Sequence, residues 1–326
     1  MKRTVLCFGE ALIDFHQEPR GKDSPPVYIP HAGGAPANVA VATARLGDAS
    51  AFVGMFGRDV FGDLLLKGLS DAGVDTRHTR RTDAANTALA FVSHDARGDR
   101  SFSFYRPPSA DLLFRDADFD PAIFAGDNLF HAGSCSMTEP ASAATTLRGM
   151  ARARTAGALV SFDMNLRPAL WPRGEDPAPT IWRALALADF IKLSAEELAF
   201  LAASVGGESA AFARLWQDHA QFMVVTDGAH AVRWFTRDQA GQAPTFPVRA
   251  IDATGAGDAF VGGCLHGFVQ QAACSENLAA FATDSARRDP VLRFAAACGA
   301  LAVTRTGSFA AMPTRSEVET FLEQHP

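Results

Sequence analysis

The sequence has no long apolar run, no basic tract and few cysteines, and each shortage excludes a class of function. No stretch is long enough to span a bilayer, which argues against a membrane partner. Residues 1–10 begin like a secretion leader, but Gly9 and Glu10 interrupt the apolar run too early, which predicts a first core strand instead. Thirty Lys and Arg stand against 36 Asp and Glu, giving a net charge of −6 and a pI near 5.8. Without a basic patch or tail, non-specific nucleic-acid binding is not expected. The five cysteines (Cys7, Cys135, Cys264, Cys274 and Cys298) form no C-x-x-C pair and sit in apolar contexts. That is the pattern of reduced thiols in a cytoplasmic protein, not of a disulfide framework or a zinc site. His31, His131, His230 and His266 are isolated, so metal-ligand spacing is missing. Also missing are the P-loop, the protein-kinase H-R-D signature and a G-x-G-x-x-G after the first strand. Heptads, repeats and low-complexity tracts are absent.

What is present is a globular composition, 48% hydrophobic and 20% charged, over 326 residues. That length suits one large core with a smaller appendage. Short apolar strands alternate with amphipathic helices: 51–55 then 60–72, 128–131 then 141–156, 159–162 then 180–188, 190–193 then 196–203, and 222–225. This is the βαβ grammar of an α/β fold, a mostly parallel sheet with helices on both faces. Val5–Phe8 reads as a buried strand that Ala11–Phe15 continues. Two pieces break the rhythm. Residues 12–32 are polar and proline-rich in part, and 87–106 carry strand patterns at 88–93 and 100–105 without a helical crossover. They are expected to form a small antiparallel β-sheet lid over a core of 1–11, 33–86 and 107–326. After Ile251 the chain is expected to be mostly helical, over 255–271, 276–283, 289–303 and 315–324.

The stretch Asp252–Gly263 carries the chemistry. A strand-like run (Phe246, Val248, Ala250, Ile251) leads into Thr254-Gly-Ala-Gly257, and an apolar helical stretch follows. That order aims unpaired N–H groups of Gly255, Ala256 and Gly257 and the positive helix end at one point, which suits a phosphoryl group. Asp258 beside an anion site is either an ordinary first-turn charge or a base that takes a proton from an attacking hydroxyl. Gly33-Gly34…Asn38 opens a second helix, where Asn38 either presents a donor and an acceptor to vicinal hydroxyls or bonds locally. Asp14, an acid inside an apolar alternation, faces solvent or a polar ligand. Arg106 ends the lid and either donates to sugar oxygens or ends an edge strand. Arg167 follows the Asp163 strand end, where open α/β sheets place ligands. Ser194 and Glu197 fit a capping box and also a position near the metal–water shell of a nucleotide. Thr226-Asp-Gly228 ends another strand, where the chain could pass close to a nucleotide.

These residues resemble the ribokinase-like (PfkB) carbohydrate kinases over nearly the whole chain. Gly33-Gly34…Asn38…Ala44-Arg-Leu-Gly47 is similar to the family's N-terminal signature, and Asp252-x-Thr-Gly-Ala-Gly-Asp258-x-Phe260 to its C-terminal one. Segments such as Phe104–Asp111, Gly133–Ser136, Asp163–Pro168 and Ala188–Ser194 are similar to fructokinases within it. The resemblance implies a Rossmann-like core with a lid, ATP as donor and Mg2+ as the required metal. It implies Asp258 as base and the Gly255–Asp258 amides as anion hole. Asp14, Gly33, Gly34, Asn38, Tyr105, Arg106, Glu139 and Arg167 would lie on the sugar side, and Ser194, Glu197, Thr226, Gly228 and Ala296 on the nucleotide side. Asp252, Thr254, Ala302, Arg305 and Gly307 match positions that hold a monovalent cation, usually K+, although Ala311 stands where some members have serine. D-Fructose is the expected acceptor, with 2-keto-3-deoxygluconate, ribose, or a non-catalytic sugar-binding regulator as alternatives. A homodimer through the lid is the expected assembly.

Overall fold

The computed structural model describes residues 3–18, 25–94 and 100–326. Thirteen strands and eleven α-helices follow one another in those segments. The strands are β1 (Thr4–Phe8), β2 (Leu12–Gln17), β3 (Tyr28–Gly33), β4 (Ala49–Gly57), β5 (Thr79–Thr82), β6 (Leu89–His94) and β7 (Arg100–Tyr105). They continue with β8 (Leu129–Gly133), β9 (Leu159–Asp163), β10 (Phe190–Ser194), β11 (Phe222–Asp227), β12 (His230–Phe235) and β13 (Ala240–Ala243). The helices are α1 (Ala35–Arg45), α2 (Val60–Asp71), α3 (Pro140–Thr155), α4 (Ala178–Leu185), α5 (Ala195–Val205) and α6 (Glu208–Leu215). The last five are α7 (Ala256–Gln270), α8 (Leu278–Thr283), α9 (Ser285–Ala302), α10 (Ser308–Ala311) and α11 (Arg315–Gln324).

Nine strands form the core sheet in the order β13-β12-β11-β10-β9-β8-β1-β4-β5. Seven of them, from β11 to β5, run parallel, and β12 and β13 add an antiparallel edge. Strands such as Leu159–Asp163 are buried throughout because helices cover both faces. One apolar cluster packs α1, α7 and α9 against one face, and a second packs α3, α4 and α5 against the other. The chain runs from β1 outward to β4 and β5, then returns to β8 on the other side of β1. Strand order therefore reverses between β1 and β8, and ligands of open α/β sheets bind at the carboxyl ends there.

The second sheet holds four strands in the order β3-β2-β6-β7. Its β2–β6 pair is parallel, so it is mixed where a purely antiparallel lid was expected. Ala11–Phe15 does not extend β1 either. Gly9, at φ 148°, breaks the first strand, and β2 leaves the core to enter the small sheet. The run Phe246–Ile251 is no strand: it is extended chain, anchored by Ile251 and Asp252 N–H groups donating to Val303 O. Phe246 is buried and packs edge-on against Phe321, whereas Ala250 and Ile251 are exposed. Pro290 lies inside α9, which starts at Ser285, earlier than expected, because Asp284 caps it by accepting from Ala286 N. Among the described residues no single helix is long and apolar enough to cross a membrane.

Candidate active site

A cleft of about 630 Å³ lies between the small sheet and the core. It brings together Asp14, Gly34, Asn38, Arg167, Ser194, Glu197, Thr226, Thr254, Gly255, Gly257 and Asp258. These come from six separate places in the sequence, so the fold, not sequence proximity, assembles the site.

Its centre is the start of α7. Gly255, at φ 78°, turns the chain into the helix, and a Cβ there would meet Met312 Cε at 2.9 Å. The first amides of an α-helix have no partners within it, and here they belong to Ala256, Gly257 and Asp258. Ala256 N reaches back 3.3 Å to Ala253 O, leaving the next two for a ligand. Lys192 adds charge to the same point: its ammonium lies 3.0 Å from where a Gly257 Cβ would be. Both oxygens of Asp163 accept from Lys192 Nζ at 3.1 Å, which fixes the ammonium in place. Burial alone would lower the Lys192 pKa, but Asp163 and then Glu197 outweigh it and hold the ammonium above its usual value. Helix start, glycine turn and lysine together have the chemistry to receive an anion.

Asp258 is buried in the first turn of α7. Asn38 Nδ2 donates to its Oδ2 at 2.7 Å and Asn165 Nδ2 to its Oδ1 at 3.3 Å. Burial, and then the Asp163 charge, push its pKa up to about 6, with Asn38, Lys192 and Arg167 pulling the other way. The carboxylate is thus ionised at neutral pH yet closer to a useful base than a surface aspartate. Asp14 faces the cleft and not bulk solvent. Burial raises its pKa to about 7, helped by Asp252 and Asp258 and opposed by Arg167. Gly33 is needed beside it, since a Cβ there would sit 2.4 Å from Asp14 Oδ2. The close approach that Gly34 permits is to the Glu10–Ala11 main chain, at 2.6–2.7 Å from a would-be Cβ, at φ 108°.

On the other flank, Ser194 and Glu197 make the capping box, with Glu197 N donating to Ser194 Oγ and Ser194 N to Glu197 Oε2. Glu197 Oε1 accepts from Leu166 N, which ties the loop carrying Arg167 to α5. Both residues also line the cleft. Arg167 lines the cleft from an open position, and its charge bears on Cys135 and Asp258.

Several expected site residues lie elsewhere. Tyr105 is exposed on the lid, while its neighbour Phe104 lines the cleft, because successive residues of β7 face opposite ways. Arg106 is buried and donates to Asp111 Oδ2 and to Cys135 O, beside Glu10. Its guanidinium is taken up by the protein. Glu139 is the half-buried N-cap position of α3, and Gly228 ends β11 at φ 54° in open space. Ala296 is buried on α9. Asp252 accepts from Thr254 N and Gly307 N, and Ala302 O from Arg305 N, whose side chain pairs with Glu317.

Sequence reasoning gave no role to Glu10, Lys192, Asn165, Phe104 or Ser308, all of which line the cleft. Lys192 carried a signal, a charge inside the apolar run Phe190–Leu193. Asn165 sits at φ 39°, a conformation asparagine tolerates better than most residues. Ser308 had none.

The description of the pfkB family carbohydrate kinases matches residues 2–315. The chain belongs to that family. Fructokinase-1 of Oryza sativa subsp. japonica is 40% identical over 321 residues, covering 98% of this chain and 97% of that one. A fructokinase from Xylella fastidiosa, solved with bound ATP, is 52% identical with a TM-score of 0.96, covering 100% and 99% of the two chains. A Vibrio cholerae O395 fructokinase, solved with fructose, ADP and calcium ion, is 34% identical with a TM-score of 0.86 and covers 98% and 99%. The chain is thus a sugar kinase.

Proposed function

We propose that this pfkB kinase transfers the γ-phosphoryl group of ATP to the primary C6 hydroxyl of D-fructose. The observation that carries the proposal is one buried carboxylate, Asp258, in the first turn of the same helix whose amides and Lys192 make an anion site. The fructokinase relatives supply the sugar, and the ATP-bound and fructose-bound solved relatives supply the two ligands.

The sugar oxygen attacks the γ-phosphorus, the bond from that phosphorus to the ADP oxygen breaks, and the hydroxyl proton passes to Asp258. Asn38 and Asn165 each occupy one Asp258 oxygen with a single donor, orienting the carboxylate and leaving lone pairs for the proton. The α7 amides and Lys192 stabilise charge on the transferring group, which is where phosphoryl transfer needs help. Arg167, at the cleft mouth, offsets the acidity of Asp14 and Asp258 toward an incoming polyphosphate. Phe104, Leu12 and Leu170 give the cleft apolar walls that exclude water when the lid (12–32 and 87–106) closes on the core.

Mg2+ arriving with the nucleotide would be held on the Glu197 side of the cleft, since Mg2+ keeps several waters and uses one or two carboxylates. Its chemistry there would be to neutralise phosphate charge. Among the described residues no group of three or more His, Cys, Asp or Glu could hold a metal alone. The five free thiols, four of them buried, suit the cytoplasm. A dimer through the lid completes the reading, and light scattering tests it.

ADP release in a coupled assay with fructose, 2-keto-3-deoxygluconate, ribose and adenosine tests the function. Fructose should give the highest kcat/KM. No ADP with any of them would leave the non-catalytic regulator. Repeating the assay in potassium and choline salts tests the cation residues Asp252, Thr254, Ala302, Arg305 and Gly307. Stimulation by potassium supports them and equal rates remove them.

A further inference from the structure

Three buried polar atoms of cleft-lining residues have no hydrogen-bond partner among the described residues: Asn38 Oδ1, Glu10 Oε2 and Ser308 Oγ. Burying a polar atom without a partner costs stability, so such atoms cluster where a ligand supplies the missing bond. One of the three, Asn38, is the residue that the N-terminal signature already points to as a holder of sugar hydroxyls. The other two have been given no role.

We propose that Glu10 and Ser308 are specificity residues of the acceptor pocket: Glu10 Oε2 accepts from one sugar hydroxyl and Ser308 Oγ bonds a second sugar oxygen. The proposal rests on the sugar-kinase reading and adds to its list of contacts. Glu10 stands at the end of β1, the switch point of the core sheet, and is 3% exposed. Ala35 N donates to its Oε1 at 3.2 Å, which leaves Oε2 as the spare acceptor. Burial favours the neutral form of Glu10, and the Arg106 guanidinium, itself locked to Asp111 and Cys135 O, opposes that by attracting the carboxylate. Arg106 therefore acts on the sugar through Glu10 and is a positioning residue.

Ser308 is 1% exposed at the start of α10. Its Oγ lies 3.3 Å from where a Gly33 Cβ would be, and Asp14 Oδ2 lies 2.4 Å from that same point. The hydroxyl thus shares the corner that Asp14 occupies. Arg45 holds α10 there by donating to the carbonyls of Phe309, Ala310 and Met312. Both orphans belong to the sugar and not to ATP. Glu10 and Ser308 stand with α1 and Asp14, whereas Lys192, Ser194 and Thr226 form the phosphate flank, and a carboxylate such as Glu10 would repel phosphate. A sugar, with hydroxyls on most of its carbons, is the ligand that satisfies a carboxylate, an amide oxygen and a hydroxyl at once.

The test is Glu10→Gln and Ser308→Ala, read by calorimetric binding of D-fructose and its monodeoxy analogues and by kinetics with ATP. Glu10→Gln should weaken fructose binding about 10- to 100-fold and Ser308→Ala about 3- to 10-fold, the ranges for charged and neutral hydrogen bonds. KM for ATP should stay within about twofold. For one deoxy analogue, the one lacking the facing hydroxyl, variant and wild type should bind alike. Unchanged fructose affinity in both variants, or an equal penalty with every analogue, overturns the proposal. Glu10-dependent fructose binding without ADP release would uphold it while removing the kinase reading. Ser308→Ala, which only deletes an oxygen, keeps the test open if Glu10→Gln does not fold.

Discussion

Replacing Asp258 with Asn separates chemistry from folding, and the structure predicts that the two move in opposite directions. The change keeps the shape and removes the proton acceptor. Asn38 and Asn165 now donate to the carboxylate. The new amide can keep one of these bonds and donate to Asn38 Oδ1, which lacks a partner among the described residues, once the Asn38 amide turns over. Turnover should fall by about 10²–10⁴-fold, the contribution of a positioned base. Stability should rise. The fold raises the Asp258 pKa from 3.8 to about 6, so the folded chain prefers the protonated form. Stability tied to this group is complete below pH 4 and is lost as pH rises through 6. Two units correspond to an upper figure of about 3 kcal/mol at pH 8. Urea unfolding at pH 8 should therefore show a more stable variant, with the difference gone near pH 4. The assay for the other half is kcat under saturating ATP and fructose. A variant within tenfold of wild-type turnover would refute the assigned role of Asp258, whatever its stability.

Other outcomes follow from the same geometry. Lys192→Met removes the ammonium from the anion site and leaves Asp163 buried and unpaired, so KM for ATP should rise at least about tenfold and stability drop by about 3–5 kcal/mol in urea. Arg106→Met should cost about 3–5 kcal/mol by the same mechanism, since Asp111 and Glu10 lose their counter-charge. Gly255→Ala places a side chain at φ 78° against Met312 and should lower both melting temperature and kcat, the strain being about 1–2 kcal/mol. The pH profile of kcat/KM should fall on the acid side between pH 7 and 6, as Asp14 and then Asp258 take up protons.

The α/β alternation was legible because six of the parallel strands, from β11 to β4, are largely buried and read as apolar runs between amphipathic helices, whereas the polar edge strand β5 (Thr-Arg-Arg-Thr) gave no such run. The edge strands β12 and β13 were not, since half-exposed residues such as Arg233 and Gln242 dilute their pattern. The α7 start was legible because glycines at fixed offsets can be recognised locally. Glu10 was not singled out, since its neighbours Gly9 and Ala11 say nothing of Arg106, which arrives from nearly a hundred residues away. Arg106 was read as a donor to sugar because an arginine ending a strand gives no hint that Asp111, five residues on, will take its guanidinium. Tyr105 and Phe104 differ only in which side of β7 they face, a phase that one apolar, aromatic stretch does not fix.

Phosphorus and carbon NMR of the product formed from ATP and D-fructose tests the account most directly. The account predicts a phosphate on C6, with one ADP formed for each sugar phosphorylated. A phosphate on another carbon, or inorganic phosphate in its place, would contradict the placing of a primary hydroxyl between Asp258 and the α7 amides.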